Sequence, residues 1–103
     1  IHTITGERLS IGGKSHLKND QENFKNHTFK LEKGDTLYFL TDGLIDAANY
    51  ERKRFGSKNV KKVLTQHHHL KMEEQEYFLT KTLEEHQHNT EQRDDITVLG
   101  IKL

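Results

Sequence analysis

Leu37-Tyr38-Phe39-Leu40-Thr41-Asp42-Gly43-Leu44-Ile45-Asp46 is the stretch on which the reading of this chain turns. Four successive apolar residues of β-favouring type end on a threonine and deliver an aspartate and a glycine, the composition of a strand running into a tight turn. Near the C-terminus the order is reversed: in Arg93-Asp94-Asp95-Ile96-Thr97-Val98-Leu99, two acids precede a β-type run. Two strands can thereby present carboxylates at their ends, where a hard cation is held by oxygen ligands. An isolated Asp-Gly is most often an ordinary turn. Adjacent acids before a buried strand, however, repel one another unless a cation or hydrogen-bond donors compensate. Asp42, Asp94 and Asp95 are therefore the candidate metal ligands, and short carboxylates select Mn²⁺ or Mg²⁺ where histidine and thiolate would select softer ions.

Working outward, Thr28-Phe29-Lys30-Leu31 alternates polar and apolar residues, and Glu32-Lys33-Gly34-Asp35 is a glycine-bearing turn. The spacing predicts a hairpin between residues 28–31 and 36–41. Because residues 37–40 are apolar in succession and not alternately, this strand is expected to be covered on both faces, as in a central strand of a layered sheet. Ile1 to Thr5 reads as a weak strand running toward Leu9, and Ile11 to Glu22 as loop. After Gly43 the pattern gives a helical turn through Ala48. A helix capped by Ser57 then follows, with Val60, Val63 and Leu64 on one face. A second helix spans about Lys71 to Glu85, with Met72, Leu79 and Leu83 in line and Phe78 alongside, and the last strand is Ile96 to Leu103. This order predicts an α+β fold of largely antiparallel strands with two helices, each covering one sheet face.

The 103 residues bound the chain to at most one domain, and an apolar content of 31% predicts a thin core. Sixteen basic and sixteen acidic side chains cancel, so the global field favours neither nucleic acid nor an anionic membrane. The lack of cysteine rules out disulfide frameworks and thiolate chemistry. No apolar run reaches membrane-spanning length, and the expectation is a soluble, cytoplasmic protein. Ile1 at the first position, within a strand-like alternation, predicts a piece of something longer.

Other chemistries find little support. His67-His68-His69 and His86-Gln87-His88 tempt a zinc reading, but consecutive residues point in different directions on a helix, so a solvated helix end is expected. There is no nucleophile elbow, phosphate loop or dinucleotide fingerprint. Lys58, Lys61 and Lys62 line one helix with only Phe55 nearby, which is not a nucleic-acid platform.

The segments Leu31 to Ala47, Arg54-Phe55-Gly56 and Gln92 to Leu99 together resemble the PPM-type metal-dependent serine/threonine phosphatases, in the bacterial branch typified by the stage II sporulation phosphatase. The resemblance covers roughly residues 28–103. It implies part of an α-β-β-α sandwich with a binuclear Mn²⁺ or Mg²⁺ centre between two sheets. Asp42 and Asp94 match the family's metal-binding aspartates, and Asp95 falls where relatives carry Asp or Asn. Asp46 is implied as an accessory acid beside them. No side chain is implied as the nucleophile, which is a metal-activated water. The family's first motif, an aspartate-glycine on N-terminal strands, has no counterpart here, so residues 1–103 are expected to be the C-terminal portion of such a domain.

Two functions follow. The protein to which the chain belongs hydrolyses phosphoserine or phosphothreonine on a bacterial signalling regulator, by analogy of the anti-anti-sigma type, while the chain alone is inactive. Alternatively, the chain is a non-catalytic interaction or regulatory module that keeps half of a phosphatase fold. A half sandwich is expected to leave one face of residues 37–40 exposed and to associate into a homo-oligomer.

Overall fold

The computed structural model of the chain describes residues 1–5 and 25–103. The chain divides into two units, Ile1–Leu31 and Glu32–Leu103. In the first unit the described residues form neither helix nor strand and are exposed. The rings of His2 and Phe29 lie 6.2 Å apart in a tilted arrangement. The strand expected at Ile1 to Thr5 is therefore absent over those residues, and its extension toward Leu9 and the loop expected at Ile11 to Glu22 lie outside the described residues.

The second unit contains every described helix and strand. Its elements in chain order are β1 (Thr36–Leu40), α1 (Asp42–Asp46), α2 (Ser57–His67), α3 (Met72–Gln87) and β2 (Val98–Lys102). The two strands form an antiparallel two-stranded sheet that pairs Thr36 with Lys102, Tyr38 with Gly100 and Leu40 with Val98. This corrects the expected hairpin: β1 takes the C-terminal strand as its partner, and residues 28–31 form no strand. The turn before β1 does form. Asp35 N–H donates to Glu32 O at 3.0 Å and Gly34 sits at φ +99°, a conformation suited to glycine. The turn then hands the chain to β2, with Gly34 N–H on Leu103 O and Leu103 N–H on Asp35 O, both at 2.9 Å. Residues 28–31 offer only Phe29 and Leu31, and both are exposed. Residues 98–101 carry Val98, Leu99 and Ile101 to the sheet.

Alternation across the sheet gives it two unlike faces. Leu40 and Val98 point to the helices, where they pack on a core of Leu44, Ala47, Phe55, Val60 and Val63. Leu44 is only 1% exposed. Tyr38 donates its hydroxyl proton to Gln75 Oε1 on α3, while Gln75 Nε2 donates to Leu70 O at 2.8 Å and His68 O at 3.3 Å, which satisfies this buried amide. Gly100 opposite Tyr38 keeps that face low, since a Cβ there would come 3.2 Å from Met72 Sδ. A cavity of about 670 Å³ lined by Tyr38, Met72, Leu79 and Val98 remains beside α3, in keeping with the thin core.

The other face carries Leu37, Phe39, Leu99 and Ile101, with Phe39 56% and Leu99 53% exposed. This corrects the expected covering of β1 on both faces: among the described residues only the face of Leu40 and Val98 is packed.

α2 and α3 lie where the apolar spacing put them, with Val60 and Val63 buried and Leu64, Leu79 and Leu83 against the core. Ser57 does not cap α2. The N-cap is Gly56 at φ 85°, and no side chain caps the helix.

Candidate metal centre

The site begins where β1 ends. Thr41 N–H donates to Thr97 O at 3.0 Å, and Thr97 N–H donates back to Thr41 Oγ1 at 3.1 Å. The same hydroxyl donates to Asp95 O at 3.4 Å. One threonine thus acts as donor and acceptor and ties the end of β1 to the segment leading into β2. Two residues further, Gly43 lies against the same carbonyl. A Cβ at position 43 would overlap Asp95 O, closer than real Cβ atoms ever come, and would sit tightly at 3.1 Å from the carbonyl carbon. Glycine is required here by close approach, because its φ is not positive.

The two acidic motifs therefore meet through their backbones. Asp42 is the first residue of α1, between Thr41 and Gly43, and Asp94 and Asp95 lie on the opposing segment. All three side chains are exposed. Asp94 Oδ1 accepts the Asp95 N–H at 2.8 Å, which orients that carboxylate, and among the described residues its second oxygen has no hydrogen-bond partner. Asp46, at the far end of α1, is ion-paired with Arg54.

The donor chemistry fits a hard divalent ion: carboxylate oxygens on two apposed segments, with no thiolate and no imidazole among them. Among the described residues no group of three or more His, Cys, Asp or Glu side chains is arranged to hold a metal. Asp42 and the Asp94-Asp95 pair, the acids expected to hold a cation, do not by themselves make such a group.

The histidines are not a uniformly solvated helix end. His67 Nδ1 donates to Val63 O at 2.8 Å, and its ring stacks on Phe78 with centroids 4.4 Å apart. His86 Nε2 points at two carbonyls, Ala47 O at 3.0 Å and Lys53 O at 3.2 Å, and its ring meets Phe55 edge-on. Carbonyls only accept, so Nε2 carries the proton. His86 thus pins the loop after α1 to α3, while His68, His69 and His88 remain exposed.

That loop is itself ordered. Asn49 Oδ1 accepts from Glu51 N–H at 2.9 Å and Lys53 N–H at 3.0 Å, and Ala48 bridges Arg54. Phe55 N–H on Ala47 O and Gly56 N–H on Ile45 O then return the chain to α1. Sequence reading gives no role to Thr41 and Asn49 and places His86 on a solvated helix end; a partner of Thr41 lies 56 positions away. Only Asn49, an Asx residue at a polar loop, carries a local signal.

A two-stranded antiparallel sheet backed by helices, with an Asp-Gly turn set against an Asp-Asp segment, is an α+β arrangement of the PP2C type. The solved SiaA-PP2C domain of Pseudomonas aeruginosa matches it with a TM-score of 0.63 and 36% sequence identity, over 66% of this chain and 28% of that one. The family described as stage II sporulation protein E (SpoIIE) matches residues 5–103, and the chain belongs to this family of PPM-type phosphatases. The chain thus holds a phosphatase-type domain region and spans less than a third of the SiaA domain. No curated protein sequence matches it. Among the described residues, no helix is long and apolar enough to cross a membrane.

Proposed function

We propose that this chain contributes one wall of the active site of a metal-dependent protein serine/threonine phosphatase that acts on a phosphorylated signalling regulator. The observation that carries the reading is the Thr41 and Gly43 junction, which apposes the Asp42 segment to the Asp94-Asp95 segment. Membership in the SpoIIE family supports the same reaction class. Asp42, Asp94 and Asp95 would hold Mn²⁺ or Mg²⁺, and Asp46 acts at one remove by fixing Arg54. When bound, such a cation supplies charge neutralisation at a phosphoryl group and activation of water. The chain's own part is to hold the carboxylates still: Asp94 through the Asp95 amide, and Asp42 through the rigid strand-to-helix junction beside it.

The test is Mn²⁺-dependent phosphate release from a phosphoserine peptide by the protein that carries this chain. Asp42→Asn and Asp94→Asn should each lower turnover by about a hundredfold or more, the scale of removing a charge from a reacting phosphoryl group. Wild-type turnover in both variants would overturn the assignment. The 103-residue chain alone should release p-nitrophenol from p-nitrophenyl phosphate barely or not at all.

The uncovered sheet face favours a second reading, that of an interaction module. That reading expects tight binding to a partner through Phe39 and Leu99, with no metal dependence in either partner binding or catalysis.

A further inference from the structure

The formal neutrality of the chain hides a separation of charge. Residues 52–62 carry six cations, Arg52, Lys53, Arg54, Lys58, Lys61 and Lys62, and no acid. α3 carries Glu73, Glu74, Glu76, Glu84 and Glu85 against a single Lys81. On α2, Lys58, Lys61 and Lys62 stand at helical spacing of three and four, on the side opposite the buried Val60 and Val63. Only Arg54 and Lys53 have acidic partners among the described residues, Asp46 and Glu51 respectively, the latter pair 3.8 Å apart and exposed. The loop that begins this surface is fixed by Asn49 and by His86, and it presents Tyr50 at 71% exposure beside Arg52.

Position gives the surface its meaning. α1 is five residues long, about 6 Å from its first Cα to its last. Asp42 begins it, while Asp46 at its end pairs with Arg54 and Ile45 O accepts the Gly56 amide from the start of α2. The cationic surface therefore starts one helical turn from the candidate metal centre.

We infer that Arg52, Tyr50 and the Lys58-Lys61-Lys62 face of α2 form a docking surface for an acidic, phosphoserine- or phosphothreonine-bearing protein segment. The partner's chemistry follows from the phosphatase reading above and from charge complementarity: a peptide that places its phosphoryl group at Asp42 and the Asp94-Asp95 pair would pass its flanking acids over these cations. Nucleic acid is the poorer fit, since Tyr50 is the loop's one exposed aromatic, Phe55 being buried, and the chain has no net positive charge. The acidic α3 of a second copy is the remaining competitor.

The experiment is fluorescence anisotropy of a labelled synthetic peptide, one phosphoserine flanked by glutamates, titrated with the chain at low salt. The combined Lys58→Glu, Lys61→Glu and Lys62→Glu variant should weaken binding by about tenfold or more, and Arg52→Glu by about threefold. Raising salt to roughly 0.5 M should erase most of the difference. A Lys→Gln set at the same three positions, with a smaller loss in the same direction, guards against a folding artefact. The inference is overturned if the reversed variant binds the peptide as wild type does, if a single-stranded oligonucleotide binds more tightly than the peptide, or if sedimentation shows that the reversal changes only self-association. Direct Mn²⁺ titration of the wild-type chain tests the metal reading separately: peptide binding without metal binding sinks the ligand roles of Asp42, Asp94 and Asp95 and leaves the surface standing, and the converse sinks only the surface.

Discussion

The two faces of one small sheet share a backbone and a register yet live in different surroundings. On the helix side Leu40 and Val98 join a cluster closed by Leu44, and Tyr38 is locked to Gln75; on the other side Phe39 and Leu99 stand half in water. Stability is therefore concentrated on the helix side. The strand ends carrying Thr41 and Thr97 belong to neither face, and that is where the acidic motifs meet. Acids at the rim of a sheet borrow rigidity from the buried face while their carboxylates stay exposed.

Truncating one side chain on each face exposes the contrast most strongly. Leu44→Ala should cost about 2–5 kcal/mol, the range for emptying a fully buried leucine site, whereas Phe39→Ser should cost well under 1 kcal/mol. Chemical denaturation of both variants measures this; equal losses would mean that the open face is covered in solution by a second chain.

Next in size is Gly43→Ala. The Cβ would be driven into the Asp95 carbonyl, so the two segments must part or strain, at a cost of about 1–3 kcal/mol. Mn²⁺ affinity should fall with it. Unchanged stability and affinity would show that the junction yields freely.

Thr41→Val removes a donor and an acceptor from the same junction while keeping its shape. About 1 kcal/mol of stability should go, together with the slow hydrogen exchange of the Thr97 amide, and Thr41→Ser should restore both.

The smallest effect lies at Tyr38. Burial pushes its phenol above the ordinary 10.0, partly offset by a hydrogen bond with Thr36. The folded chain then keeps a proton that the unfolded chain releases, so this contribution is whole below pH 10 and fades as pH rises through the shifted value. The stability advantage of wild type over Tyr38→Phe should accordingly shrink in alkaline titration. A constant difference would mean that Tyr38 is no more buried in solution than in the unfolded chain.

Much of this was legible from residue pattern. α2 and α3 follow from apolar spacing, and β2 from the run beginning at Ile96, because local periodicity reports which face is buried. The partner of β1 was not legible. A turn at Gly34 favours the nearest segment, while pairing with Val98–Lys102 is a non-local choice made by side-chain supply at the sheet. The cap of α2 escaped for a related reason: Ser57 has the chemistry for it, but Gly56 takes the φ of 85° that the entry requires. The acids were visible as motifs. The device that apposes them, one threonine hydroxyl and one missing Cβ, was not, because both are defined by what lies across from them.

The most direct measurement is paramagnetic broadening of backbone amide resonances as Mn²⁺ is added to the isotopically labelled chain. The amides of Asp42 and Gly43 and those of Asp94, Asp95 and Ile96 should broaden together at the same low metal concentration, with Asp42→Asn weakening the effect at both. Broadening confined to the exposed histidines, or to one acidic segment without the other, would contradict a shared cation between them.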